Sequence, residues 1–391
     1  MSGHEVGIEL SIGNDASLRV VRCRVEEAVS TITHAAIEIA TTEDIDFASM
    51  LGAAASLVIT TGDGASRRWT LVLGSAEFLR AERGTLRFEI HLHAAPWLLQ
   101  HTMDTCKHRG LSAKEIVSKT LGEHGIKHAW RVTRTPRTRE YCTQYEESDI
   151  GFASRLLEFE GIYYTLDEDG VMVFEDRSSA CAPVDGPTSF FELLDSAGAL
   201  TRGELGVLSL RRGARVAPGK ATVVDYNWKT PKKKLVFSRA AEREVELETY
   251  DTSAGFREAG EGERIARMRL EAHRVRAHFI DGVANVPGFA PGRRFSFGDD
   301  GGAMFAGDYF IVGVEHEARD VTAFSGADES ADEAPYRCRF HAIPLSKPFR
   351  PAVRTPQPTV AGCHTVMVRG PAGEEIHTDQ YGRFKAQFHW N

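Results

Sequence analysis

Alternation of apolar and polar residues dominates the chain. In TLRFEIHLHA, Leu86, Phe88, Ile90 and Leu92 alternate with Arg87, Glu89, His91 and His93, the period of two expected of a strand with one buried face. Weaker runs of the same kind occur at SLRVVRCRVEE, HAAIEIA, SLVITTG and RRWTLVLG. Their even spacing, punctuated by Gly, Asp and Asn, predicts a small antiparallel barrel or sandwich over residues 1–100.

The period then changes. Ser112 and Glu115 form a capping box ahead of Ile116, Val117, Thr120 and Leu121, with Gly122 or Gly125 as a stop, so 113–123 is expected to be helical. A second helix is expected over 149–160, where Ile150, Ala153, Leu156 and Leu157 share a face and Gly161 ends it. IYYTL, DEDG and VMVFED read as strand, turn and strand. Residues 101–200 are therefore expected to be an α+β insertion in a mainly β chain. Beyond them, GKATVVDYNW, KKLVFSRA, RRFSF, GDYFIVGVEHEA and YRCRFHAIP read as strands. GEGERIARMRLEAHRVRAHF reads as a helix with Ile265, Met268, Ala272, Val275 and Phe279 on one side. This second β unit, 201–345, matches the first in size, and no sequence self-similarity marks the two as a repeat.

Five prolines in PLSKPFRPAVRTPQPTV predict an extended, semi-rigid linker at about 346–360. Past it, Phe384, Ala386, Phe388 and Trp390 alternate with Lys385, Gln387 and His389 after the turn residues Asp379–Gly382, the pattern of a half-buried hairpin strand. So short a segment cannot bury a core alone, so 361–391 is expected to be the truncated start of a further β domain.

Composition narrows the function. The 391 residues, 42% hydrophobic and 26% charged, fit two to four globular domains. A net charge of -8 weighs against a nucleic-acid partner. The opening has no basic n-region, and the longest small-and-apolar run, AAASLVI, is too short to cross a bilayer, so neither signal peptide nor transmembrane segment is expected. Six scattered cysteines without a CxxC pair fit free thiols in a reducing compartment.

Catalytic motifs are missing: there is no GxSxG, HExxH or well-placed GxGxxG. In GARVAPGKAT the glycines Gly213 and Gly219 are one residue too far apart for a phosphate loop, and Ala221 follows Lys220. His91, His93, Cys106 and His108, with His101 between them, are weak zinc candidates, since they supply nitrogen and sulfur ligands without a fourth ligand at a usual spacing. Arg131, Arg134, Arg137 and Arg139, and the run Lys232–Lys234, could meet phosphates, but a solvated or protein-facing surface explains them more simply. Glu146, Glu147 and Asp149 could do acid–base work, and helix capping explains them more cheaply. No catalytic residue and no cofactor is expected.

One stretch carries a family likeness. REYCTQYEESDIGFASRLLEFEGIYYTL, residues 139–166, resembles the signature segment of VgrG, the spike family of bacterial type VI secretion, which is similar to the hub and needle of contractile phage tails. Tyr141, Gln144, Tyr145, Asp149, Leu156, Leu157, Glu160, Gly161, Tyr163 and Tyr164 carry it, joined near the end by Asp379, Gly382, Arg383 and Trp390. It continues in EGERIARMRLEAHR, PGRRFSF, GDYFIVGVEHEA, RFHAIPLSKPFRP and GPAGEEIHTDQYGRFKAQFHW, in the family's order.

The resemblance implies two barrel-like hub domains followed by the start of an OB-fold. It implies a homotrimer with a pseudo-sixfold base for the hexameric tube protein Hcp, set among baseplate subunits. A PAAR-repeat tip protein and effectors would attach through a C-terminal needle, and any enzymatic effector domain would lie after Asn391. The hub would assemble in the bacterial cytoplasm and then be secreted or injected. A contractile phage hub is the near alternative, and a metal-dependent enzyme or effector carrier is the alternative of another class. Two departures stand out. APWLLQHTMDTCKHRGLS keeps Pro96 and Trp97 but has His and Cys where the family is basic, and Asn391 follows Trp390 where an aspartate is expected.

Overall fold

The computed structural model describes residues 6–13, 18–82, 84–186, 188–194, 204–298, 304–320, 334–374 and 377–390, so Asn391 lies outside the described residues. The chain divides into two compact units. One comprises 1–95, 126–134 and 161–352, and the other 96–125, 135–160 and 353–391.

The strands begin with β1 (Gly7–Ile12), β2 (Arg19–Ala28), β3 (His34–Thr41), β4 (Ala54–Thr60), β5 (Ser66–Glu82) and β6 (Thr85–His93). Next come β7 (Met103–His108), β8 (Leu111–Ser112), α1 (Ala113–Glu123), β9 (His128–Arg131), β10 (Thr138–Arg139) and β11 (Cys142–Ser148). They are followed by α2 (Asp149–Glu160), β12 (Tyr163–Leu166), β13 (Met172–Glu175), β14 (Phe190–Phe191) and β15 (Val207–Ala214). Then come β16 (Lys220–Asp225), β17 (Leu235–Ala240), β18 (Glu248–Asp251), α3 (Ala259–Arg274) and β19 (His278–Ala284). The last are β20 (Arg294–Phe297), β21 (Gly307–Arg319), β22 (Tyr336–Pro344), β23 (Val366–Arg369) and β24 (Lys385–Phe388).

The first unit is built on a 12-stranded sheet in the order β1-β4-β5-β6-β3-β2-β21-β22-β19-β15, with β20 on β21 and β14 on β20. Two six-stranded circuits lie within it. In the first, β1-β4-β5-β6-β3-β2, the ends meet where the Leu18 N–H donates to the Leu10 carbonyl at 3.3 Å. In the second, β14-β20-β21-β22-β19-β15, they meet where the Leu194 N–H donates to the Val207 carbonyl at 2.8 Å. Numbered in chain order, the strands of both circuits follow one neighbour sequence, 1-4-5-6-3-2. The circuits differ in their first strand: β1 is antiparallel to β4, and β14 is parallel to β20.

Alternation drives this sheet. Val25, Ile37, Ile39, Leu57, Ile59, Leu71, Phe88, Ile90 and Leu92 turn one way and join Phe295, Ile311, Val314 and Phe340 in one buried cluster that spans both circuits. Each such side chain contributes about 1.5–3 kcal/mol by leaving water. Beside the sheet, β17-β16-β18 forms a small sheet against α3, and β12-β13-β9 forms another.

Helix α3 is shorter than its periodicity predicts. It stops at Arg274, whose guanidinium bonds the Ala217 and Pro218 carbonyls, while Phe279 stands in β19 between β15 and β22. Strand pairing outweighs the helical period there.

The second unit holds α1, α2, the ladders β7–β11 and β8–β10, and the hairpin β23–β24. Both helices have the expected boundaries, and the capping box is present: Ser112 Oγ accepts from the Glu115 N–H, and Glu115 accepts from the Ser112 N–H at 2.7 Å. Residues 350–365 have neither helix nor strand. In the hairpin, Asp379 accepts the Tyr381 and Arg383 N–H groups and the Arg383 guanidinium, and Gly382 takes a φ of +75°. The alternation expected to half-bury this strand does not do so at Phe384, which is 56% exposed, because a two-stranded hairpin offers it no second layer.

Candidate functional site

A charged chain crosses the interior where the two circuits join. Glu27 on β2 shares the inward parity of Cys23 and Val25, and Arg67 of β5 grips it through contacts of 3.0 and 2.9 Å. The Trp69 indole N–H donates to the same carboxylate at 3.3 Å, and His316 Nε2 of β21 lies 3.0 Å from it. On the far side of that ring, Nδ1 is 2.8 Å from the Tyr336 hydroxyl on β22.

Burial opposes ionisation of Glu27, but Arg67 and His316 overcome it and hold the pKa down to about 2. Burial keeps His316 below its usual value and the Tyr336 phenol well above its own, so both are neutral at pH 7. The Tyr336 O–H therefore donates to Nδ1, and Nε2–H donates to Glu27. One anion, one cation and three further polar groups satisfy one another without solvent, as a buried network requires.

The opposite face of the sheet is polar. Glu38 lies between Arg22 and Arg87, and Glu315 between Arg24 and Arg339. Glu317 takes Arg337 and Arg339, while Asp281 takes Arg211 and His341. Arg24, Glu26, His34, Asp281, Glu315 and Arg339 border a groove of about 840 Å³ here. Its charges alternate row by row, so no single-signed field favours an anion or a cation.

In the second unit the segment 139–160 has used its charges internally. Asp149 receives the Gln144 amide at 2.7 Å, the Thr102 hydroxyl at 2.6 Å and His124 Nε2 at 2.9 Å. Arg155 holds Glu147 through two contacts and also donates to the Thr143 carbonyl, and Arg139 pairs with the buried Glu160. Asp149 is thus a hub of side-chain bonds; the helix cap is Ser148, whose hydroxyl accepts the Gly151 N–H at 3.2 Å. Leu156 and Leu157 are buried, Tyr145 is half-buried and Tyr141 is exposed.

In the first unit, Tyr163 and Tyr164 are buried and Gly161 has a φ of +69°. A Cβ at Gly161 would lie 2.7 Å from Met268 Sδ, so both backbone and space demand glycine. In the second unit, Trp390 stacks on Phe388 at 4.8 Å and lies edge-on to Tyr145 at 6.1 Å.

The zinc candidates belong to separate groups. His91 and His93 lie on β6 of the first unit with His34, whose ring stacks on both, and His91 is 3.0 Å from His34. Cys106 and His108 lie on β7 of the second unit, 3.4 Å from each other. Among the described residues no group of three or more His, Cys, Asp or Glu side chains is placed to hold a metal ion. Burial pushes the Cys106 thiol up to about 11 and those of Cys23 and Cys338 up to about 12, which removes them as nucleophiles. Arg131 reaches Glu175, Arg134 donates its N–H to Asp176, and Arg137 and Arg139 lie over Phe159. Among the described residues no helix is long and apolar enough to cross a membrane.

Sequence reading passed over Glu27, Arg67, Trp69, His316 and Tyr336. The available signal was parity: Glu27 occupies the apolar register of its strand.

Known proteins resemble this architecture. The family model for the phage tail baseplate hub (GPD) matches residues 26–322. The type VI secretion system spike protein VgrG4b of Pseudomonas aeruginosa is 32% identical over 341 residues, covering 82% of this chain and 41% of that protein. VgrG1a of the same organism is 29% identical, with 88% and 54% covered, so the chain spans about half or less of these relatives. The actin cross-linking toxin VgrG1 of Vibrio cholerae is 28% identical, with 71% and 26% covered. Among solved structures, the Escherichia coli c3393 protein is described as a type VI secretion component similar to phage T4 tail proteins gp27 and gp5. It has a TM-score of 0.69 at 21% identity, with 97% of this chain and 88% of that one covered. A Neisseria meningitidis tail protein shares the fold with a TM-score of 0.64 at 12% identity, with 87% and 96% covered. The chain belongs to the phage tail baseplate hub family, as a hub region of the VgrG spike type.

Proposed function

We propose that this chain forms, as a homotrimer, the hub of a type VI secretion spike that seats on the hexameric tube protein and carries needle, tip protein and effectors towards a target cell. One observation carries the reading: the same six-stranded circuit occurs twice in one chain. Three copies would therefore present six like units, and a ring of six is what a hexameric tube can meet face to face. The internally satisfied charges of Glu27, Asp149 and the sheet's polar face support a rigid body rather than a reactive one. We assign no catalysis to residues 1–391. The hairpin of β23 and β24, in this reading, is the beginning of an OB-fold.

Hub of a phage-like contractile particle is the second reading, since the family match and the Neisseria tail protein fit it equally. Mixing the protein from its complete gene with purified tube protein tests the first. A complex of one trimer with one hexameric ring, imaged end-on, is the expected result. No association with rings of the tube protein from the same genome would contradict it.

A further inference from the structure

We propose that the outer edge of β15 in one copy pairs antiparallel with the outer edge of the second half of β5 in another, so that the large sheet continues from chain to chain. The closure at three copies rests on the trimeric reading above; the seam itself comes from comparing the two circuits.

Within a chain the circuits are joined by β2 and β21. Strand five of the second circuit, β21, is long: Gly307–Phe310 pairs with β20, a bulge falls between Ile311 and Gly313, and then β2 covers Gly313–Arg319. Strand five of the first circuit is built alike. β5 pairs with β4 only as far as Val72, a bulge falls between Leu73 and Ser75, and the strand runs on to Glu82. Among the described residues, Ser75–Glu82 has β6 on one side and no strand on the other.

Strand two repeats the correspondence. β2 has a bulge against β3 between Val20 and Arg22, after which it lies between β3 and β21. β15 has a bulge against β19 between Val207 and Ser209, after which, among the described residues, it has β19 on one side and no strand on the other. The chain thus holds one completed seam, strand two of the first circuit on strand five of the second, and both halves of the reciprocal seam. Six strands separate those halves along the sheet. A second copy meets the need head to tail, which is the kind of contact that closes a ring.

Chemistry agrees with the pairing. Open edges expose unpaired N–H and C=O groups and recruit strands. Carrying over the register of β2 on β21 sets Ala214 opposite Ala76, Gly213 opposite Glu77 and Arg212 opposite Phe78. β15 and its next residue carry Arg211, Arg212 and Arg215, whereas the open part of β5 carries Glu77 and Glu82 with Arg80. Phe78, 57% exposed, would be covered.

The test is a cysteine pair in the complete gene product, with the exposed Cys363 changed to Ser. Ala76→Cys with Ala214→Cys should oxidise to covalent trimers, because directly opposed residues lie within disulfide reach. Ala76→Cys with Ser209→Cys should not. Independently, Glu77→Arg should weaken the trimer at least about tenfold by setting like charges together with Arg211, its diagonal neighbour on the same face and the counterpart of the Arg24–Glu315 pair of the completed seam, and Arg211→Glu should restore it. A native trimer that neither cross-links nor responds to Glu77→Arg would overturn the seam and leave the trimeric reading standing. A monomer of the unmutated product would overturn both.

Discussion

Glu27 concentrates the physics of the hub in one side chain. It is an anion inside a sheet, tolerable because Arg67, Trp69 and His316 all face it. Removing it strands Arg67, and Glu27→Ala should cost about 3–5 kcal/mol in denaturant unfolding, whereas Glu27→Leu with Arg67→Met should cost clearly less. The pH signature follows from the depressed pKa. The stabilisation is full above the ordinary value of 4.5 and is lost as pH falls towards 2. Glu27→Gln should therefore flatten the stability profile between pH 4.5 and 2 and leave its shape above 4.5 unchanged. At Gly161, alanine would add a Cβ against Met268 at positive φ, a change expected to cost about 1–2 kcal/mol in thermal unfolding.

Between residues and the whole, the elements divide by how locally they are encoded. The α1 capping box, the α2 boundaries and the Asp379 turn were legible because their determinants lie within a few residues of one another. The end of α3 was not, since the strand that claims Phe279 is chosen by β15 and β22. Two β units of like size were expected, but their common strand order was equally hidden. Their seam joins residues as far apart as Glu27 and His316, and the two circuits share neighbour order and bulges without sharing sequence. Four candidate zinc ligands, close in sequence, fall into two units. Asp149 illustrates what an element needs from its surroundings. It ties the start of α2 to β11, to the end of α1 and to Thr102, so Asp149→Ala should cost about 2–3 kcal/mol through the partners it leaves unbonded. Hydrogen exchange should report faster opening in α1 and α2, with the 12-stranded sheet unchanged.

At the scale of the molecule, a chain holding two copies of one strand circuit supplies a third of the six-unit ring proposed above, and the proposed function depends on how copies meet. The family likeness of 139–166 was readable from sequence, and topology supports the proposed threefold assembly: two like units per chain, times three, would match six. The most direct measurement is the native mass of the protein made from its complete gene, at concentrations from nanomolar to micromolar. A trimer that persists across that range is the expected result. A monomer throughout, or a dimer, would contradict the hub account, because neither places six like units around one axis.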